Sequence, residues 1–167
     1  MAQAMEEGAE SVSASVVTDT AYLDQAVEEV FGLMLGVKVV GVDTAPAQDV
    51  KTETLTAVVG LAGALSGACS VQAGAEAAMK MTACLLGMEV ETVDDGVLDG
   101  LGEISNMLAG GWKSKIPPLN AACLLSVPTV VSGTQYAVHR QAPAFYMERS
   151  YQMDQHVFTV RVYGEIQ

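Results

Sequence analysis

The stretch from Asp94 to Lys115, DDGVLDGLGEISNMLAGGWKSK, constrains the fold more than any other part of the chain. At about 100° per residue it separates into two faces. Val97, Leu101, Ile104, Leu108 and Trp112 form an apolar stripe, with Leu98 and Ala109 at its edge. Asp99, Glu103, Asn106 and Gly110 recur on the opposite side at helical spacing. This spacing predicts one continuous helix over 94–115, with Leu101, Ile104, Leu108 and Trp112 buried and Asp99, Glu103 and Asn106 at least partly exposed. Thr92, Asp94 or Asp95 can cap its start, where acids suit the helix dipole. Lys113 and Lys115 suit the other end, and Ile116-Pro117-Pro118 prevents the helix from continuing.

The polar face is unusual for a surface that only meets water. Such faces carry Lys–Glu pairs, whereas this one reads acid, acid, carboxamide, flanked by Gly96 and Gly110. A helical glycine costs about 1 kcal/mol relative to alanine, so glycine on this side implies close approach by something large. The plainer alternative is a solvated face with two tolerated glycines.

At 167 residues, half of them hydrophobic, the chain reads as one domain with a generous core. The longest apolar runs, such as AVVGLAGALSGACSV, are broken by Gly and Ser, and none reaches the ~20 residues of a membrane span. No basic region followed by an apolar stretch opens the sequence, so no secretory signal is read there. Cys69, Cys84 and Cys123 are widely spaced among apolar residues, which fits reduced core thiols in a cytoplasmic protein better than disulfides or a metal site. The net charge of −12, with only eight basic residues, argues against nucleic acid or an anionic membrane as partner. His139 and His156 have no ligand pattern around them. GLAGALSG lacks the Lys-Ser/Thr ending of a phosphate loop.

Residues 1–17 read as a flexible tail and 18–167 as the domain. A first helix is expected from about Asp19 to Leu35, ended by Gly36, then a short strand in VKVVGVD. KTETLTAVVGLAG and SGACSVQAG read as a hairpin, and Ala75 to Leu86 as a second helix closed by Gly87. After the central helix, NAACLLSVPTVVSG, PAFYMERSYQ and HVFTVRVYGE read as three strands, the last two joined at Met153-Asp154-Gln155. This order points to an α+β fold with helices packed on a mainly antiparallel sheet. The first helix carries Asp24, Glu28 and Phe31 at the spacing of Asp99, Glu103 and Asn106, an echo that reads as an internal repeat with one polar position lost.

Asp99, Glu103 and Asn106, with Pro128 a further twenty-two places on, resemble the signature of the CheC, CheX and FliY family of chemotaxis phosphatases. That signature is Asp or Ser, three residues, Glu, two residues, Asn, then twenty-one residues and Pro. It covers residues 99–128, with helix and strand order extending the likeness more weakly from about residue 20 to the end. Here Pro128 is expected within a strand. Because Phe31 stands where a second Asn would be, the chain is most similar to the CheX-like members, which keep one active helix. The resemblance implies two long antiparallel helices across the sheet, an internal pseudo-twofold, and dimers formed through sheet edges.

The resemblance also implies a phosphorylated CheY-type response regulator as partner and hydrolysis of its aspartyl phosphate. The regulator would supply Mg²⁺ and a lysine, so no cofactor need be bound by this chain. In this reading Asn106 orients the attacking water, since a carboxamide both donates and accepts and does not titrate. Glu103 pairs with the regulator's lysine, Asp99 tunes docking, and Gly110 lets the helix lie close to the partner. The alternatives are a module that docks a receiver domain or flagellar-switch component without catalysis, and a purely structural domain. Lys113 is a helix-end cation that could also reach an incoming phosphate.

Overall fold

The computed structural model describes residues 11–43 and 52–167. Seven antiparallel strands form one sheet: β1 (Val39–Val42), β2 (Thr54–Gly63), β3 (Leu65–Gly74), β4 (Cys123–Leu125), β5 (Thr129–Gly133), β6 (Phe145–Met153) and β7 (His156–Ile166). Their order is β1-β6-β7-β3-β2, with β4 and β5 pairing in series along the outer side of β2. The alternation along the long strands sets the two faces. Leu55, Ala57, Val59 and Leu61 of β2, Cys69 and Val71 of β3, and Phe158, Val160 and Val162 of β7 are all buried in one core with the helices.

The helices are α1 (Ala14–Val17), α2 (Thr20–Val27), α3 (Ala75–Leu86), α4 (Asp95–Ser114) and α5 (Pro117–Asn120). Gly87 adopts the left-handed conformation that closes α3 (φ +66°), and Gly36 does the same after the first helix (φ +70°). Asp154, at φ +52°, makes the two-residue turn between β6 and β7. The α+β class and antiparallel sheet are as the sequence predicts.

Three expectations need correction. Residues 1–10 of the predicted tail lie outside the described residues, but Ala14–Val17 is a helical turn with Val17 fully buried, so packing begins before residue 18. The first helix reaches Met34, close to the expected Leu35, but the 3.6-residue spacing read along it fails, because Glu28–Met34 is a π-helical segment. The wider turn lets the adjacent residues Val30 and Phe31 both enter the core while Gly32, Leu33 and Met34 stay outside. Finally, the strand predicted over 120–133 is broken: α5 takes its start, and residues 126–128 separate β4 from β5.

Candidate functional site

The central helix α4 runs from an N-cap at Asp94, whose carboxylate accepts from the Val97 N–H at 3.1 Å, to Ser114. Val97, Leu101, Ile104, Leu108, Ala109 and Trp112 have no exposed surface. Ser105 is equally buried, and its hydroxyl is satisfied by the Leu101 carbonyl at 2.8 Å.

Glycine lets this helix sit unusually deep. A β-carbon on Gly100 would stand 2.5 Å from Thr82 Oγ1 of α3. One on Gly102 would stand 3.3 Å from Pro128 Cγ, and one on Gly111 3.5 Å from the Ala26 side chain of α2. Sequence reasoning singled out Gly96 and Gly110 for close approach by a partner and missed these three, which serve close approach by the chain itself. Gly110 does lie on the outer side, where an added β-carbon would meet only Leu125 Cδ1, at 3.9 Å.

Asp99 and Glu103 are exposed, and Asn106 and Gly110 are half-buried. No hydrogen bond or ion pair to a described residue engages the side chains of Asp99, Glu103 or Asn106. Glu103 and Asn106 are three residues apart on one helix face, so their β-carbons are near neighbours. No described residue fixes their free ends, and they project outward.

Pro128 flanks this face from the break between β4 and β5, not from within a strand as expected. Proline has no N–H for the ladder, so the strand yields there. Ser126 ties the break to β2: its N–H donates to the Gly60 carbonyl at 2.9 Å, and its Oγ accepts from the Gly60 N–H at 2.8 Å. Val127 beside it is 85% exposed. The signal for this feature was Pro128 itself, at the centre of a predicted strand.

The other candidates fall into place around α4. Lys113 donates to the Asn120 carbonyl at 2.5 Å, and Lys115 pairs with Glu29 at 2.7 Å, so both are engaged at the helix end. The Asp24, Glu28, Phe31 echo does not reproduce the outer face of α4. Phe31 is fully buried and stacks on Phe158 with ring centroids 4.9 Å apart. Asp24 accepts from Arg149 Nε at 3.0 Å and from the Tyr151 hydroxyl at 2.6 Å. Cys69 and Cys123 are buried, and burial pushes the Cys69 thiol up to about 12. No group of three or more His, Cys, Asp or Glu among the described residues could hold a metal ion.

The site is therefore a carboxylate and a carboxamide carried outward on a packed helix, with no nucleophile–base pair beside them among the described residues. Such a pair can position groups in another molecule's site.

Comparison with known proteins finds relatives of this fold. The profile of the family described as chemotaxis phosphatase CheX matches residues 55–149. The CheY-P phosphatase CheX of Thermotoga maritima is 33% identical over 81 residues, which are 48% of this chain and 52% of that protein. The match thus spans about half the length of that relative. The chemotaxis protein CheX of Vibrio vulnificus superimposes with a TM-score of 0.75 at 17% identity, covering 92% of this chain and 99% of that one. CheX from a CheX–CheY–BeF3–Mg²⁺ complex of Borrelia burgdorferi gives a TM-score of 0.70 at 16% identity, covering 87% of this chain and 97% of that one.

Proposed function

We propose that this chain, which belongs to the chemotaxis phosphatase CheX family, hydrolyses the aspartyl phosphate of a CheY-type response regulator. The observation that carries the reading is the outward, unpaired presentation of Glu103 and Asn106 on one face of α4. The names of two relatives support it: one is called a CheY-P phosphatase, and another was solved together with CheY, BeF3 and Mg²⁺.

The regulator neutralises the phosphoryl charge with its own Mg²⁺ and lysine. This chain contributes position. Asn106 enters the regulator's site, where its carboxamide accepts from and donates to one water and holds it in line with the phosphorus. Water attacks the phosphorus, the bond to the aspartyl oxygen breaks, and inorganic phosphate leaves with the aspartate restored. Glu103, one turn earlier, pairs with the regulator's lysine and fixes the register of the helix. Asp99 lies a further turn back and tunes docking, and Gly110 keeps the far end of the face low enough for the partner's loops to pass.

The rigidity of α4 matters for this role. Thr82 and Ala26 close on Gly100 and Gly111 along one flank of α4, and Pro128 closes on Gly102 along the other, which resists a roll that would carry Asn106 off line. The same reading pairs two copies through a sheet edge. Among the described residues the sheet ends at β1 on one side and at β4 and β5 on the other, and sedimentation of the full chain tests that pairing.

The decisive experiment is Asn106→Ala. Docking to a regulator carrying a stable phosphate mimic should be nearly unchanged, while the lifetime of the regulator's phosphate lengthens by about a hundredfold or more towards its unassisted value. Unaltered acceleration with Asn106→Ala would remove Asn106 from the reaction, and no acceleration by the wild type would leave a receiver-binding module.

A further inference from the structure

The sheet face turned away from the helices carries a second constellation, in register across four strands. Glu148 of β6 stands opposite Arg161 of β7, Arg161 opposite Ser70 of β3, and Ser70 opposite Val58 of β2. One row along, Tyr146 stands opposite Tyr163. The segment between β5 and β6 lies over this face and encloses a cavity of about 320 Å³ with it. Tyr136, Val138 and Arg140 form the roof, and Ser70, Arg161 and the tyrosines form the floor and walls.

The charges there are unevenly satisfied. Glu148 Oε2 accepts from Arg161 Nε at 2.8 Å and from the Tyr146 hydroxyl at 2.5 Å, and Arg161 Nη1 donates to Gln72 at 2.8 Å. Tyr136 is paired with Thr56 at 2.7 Å. Arg140 lies over two ring faces, its guanidinium carbon 4.4 Å from the Tyr146 centroid and 5.1 Å from that of Tyr163. After the Tyr146 hydroxyl and Arg161, its charge helps hold the nearby Glu148 carboxyl below the usual range. No hydrogen bond or ion pair to a described residue engages it. Ser70 is only 4% exposed, lines the cavity, and its hydroxyl has no partner among the described residues.

In a chain of net charge −12 with eight basic residues, two arginines meet at this cavity and, among the described residues that line it, only one carboxylate opposes them. Unused donors converge on a space bounded by three tyrosines, at the lower end of the size range of small-molecule sites. We propose that this cavity binds a small planar acid, a ring bearing one phosphate or carboxylate group. The acid group sits between Arg140, Arg161 and Ser70, and the ring lies along Tyr136, Tyr146 and Tyr163. Arginine suits such an acid because its planar fork can donate two parallel hydrogen bonds. The site is on the opposite face of the sheet from Glu103 and Asn106 and does not depend on the phosphatase reading.

The test is titration of the ¹⁵N-labelled full chain with phenyl phosphate, benzoate and uncharged phenol, followed by amide shifts. Saturable shifts of Ser70, Gln72, Arg140 and Arg161 with an acid but not with phenol are expected, and the tighter of the two acids identifies the acid group. Arg140→Ala should weaken that binding at least tenfold, and Ser70→Ala severalfold, with the remaining spectrum unchanged. Asn106→Ala should leave it intact. Absence of saturable shifts, equal binding of phenol, shifts centred on α4, or undiminished binding by both Arg140→Ala and Ser70→Ala would overturn the proposal.

Discussion

Pro128 rests its ring against the bare backbone of Gly102, so closely that a β-carbon there would stand 3.3 Å from the proline Cγ. Gly102 directly precedes Glu103 and lies four residues before Asn106, so the proline buttresses the helix at the turn that carries both. Gly102→Ala should be close to neutral in stability. The roughly 1 kcal/mol gained in helix propensity offsets the strain of moving a ring by tenths of an ångström. Gly102→Leu has no such room and should cost about 1–3 kcal/mol through overpacking. Urea midpoints of the two variants check this, and equal midpoints would show that Pro128 gives way freely.

Trp112 anchors the other end of the helix. It has no exposed surface, and its indole Nε1–H has no acceptor among the described residues. Trp112→Ala should cost about 3–5 kcal/mol. Trp112→Phe should cost much less, since it keeps most of the packing and removes a buried donor that is left unpaired. Thermal unfolding of both proteins provides the comparison.

The face assignment of α4 was legible because the apolar residues at 97, 101, 104, 108 and 112 leave one way to bury a helix. What glycine does along it was not. Gly100, Gly102 and Gly111 differ from Gly96 and Gly110 only in which neighbours approach, and those neighbours come from residues 26, 82 and 128. The first helix misled for a related reason. Spacing of Asp24, Glu28 and Phe31 assumes 3.6 residues per turn, and the π-helical segment from Glu28 breaks that count just before Phe31. The row Glu148, Arg161, Ser70 was invisible until strand register placed residues of three strands side by side.

Phe31 therefore carries a prediction opposite to the one its spacing suggests. Phe31→Asn would replace a ring stacked on Phe158 with a buried carboxamide. It should cost about 3–5 kcal/mol and create no second active position. An increase in phosphate release at unchanged stability would restore the reading of a duplicated site.

Cys69 links pH to stability. Burial lifts its thiol from the ordinary 9.0 to about 12. Below about pH 9 both folded and unfolded chains hold the proton, and the thiol has no effect on the balance. Between about 9 and 12 the unfolded chain loses the proton first, so stability falls as pH rises, by at most about 1.4 kcal/mol per unit. Comparison of urea midpoints at about pH 8 and about pH 10.5 should show a steeper loss for the wild type than for Cys69→Ala. The tyrosines, common to both proteins, cancel in that difference.

Glu103 separates docking from chemistry. If its carboxylate pairs with the regulator's lysine, that pair is partly desolvated in the complex and contributes to binding itself. Glu103→Ala should then weaken docking and slow dephosphorylation together, unlike Asn106→Ala, which slows only the second. Screening supplies an independent readout. Raising ionic strength from about 0.05 to 0.5 M shortens the Debye length severalfold, so wild-type binding to a regulator carrying a phosphate mimic should weaken more than binding by Glu103→Ala. Asp99→Ala, one turn further from the water, should lose part of the salt dependence and little of the rate. Equal, small effects of Glu103→Ala and Asn106→Ala on both steps would make α4 a docking face and leave hydrolysis to the regulator alone.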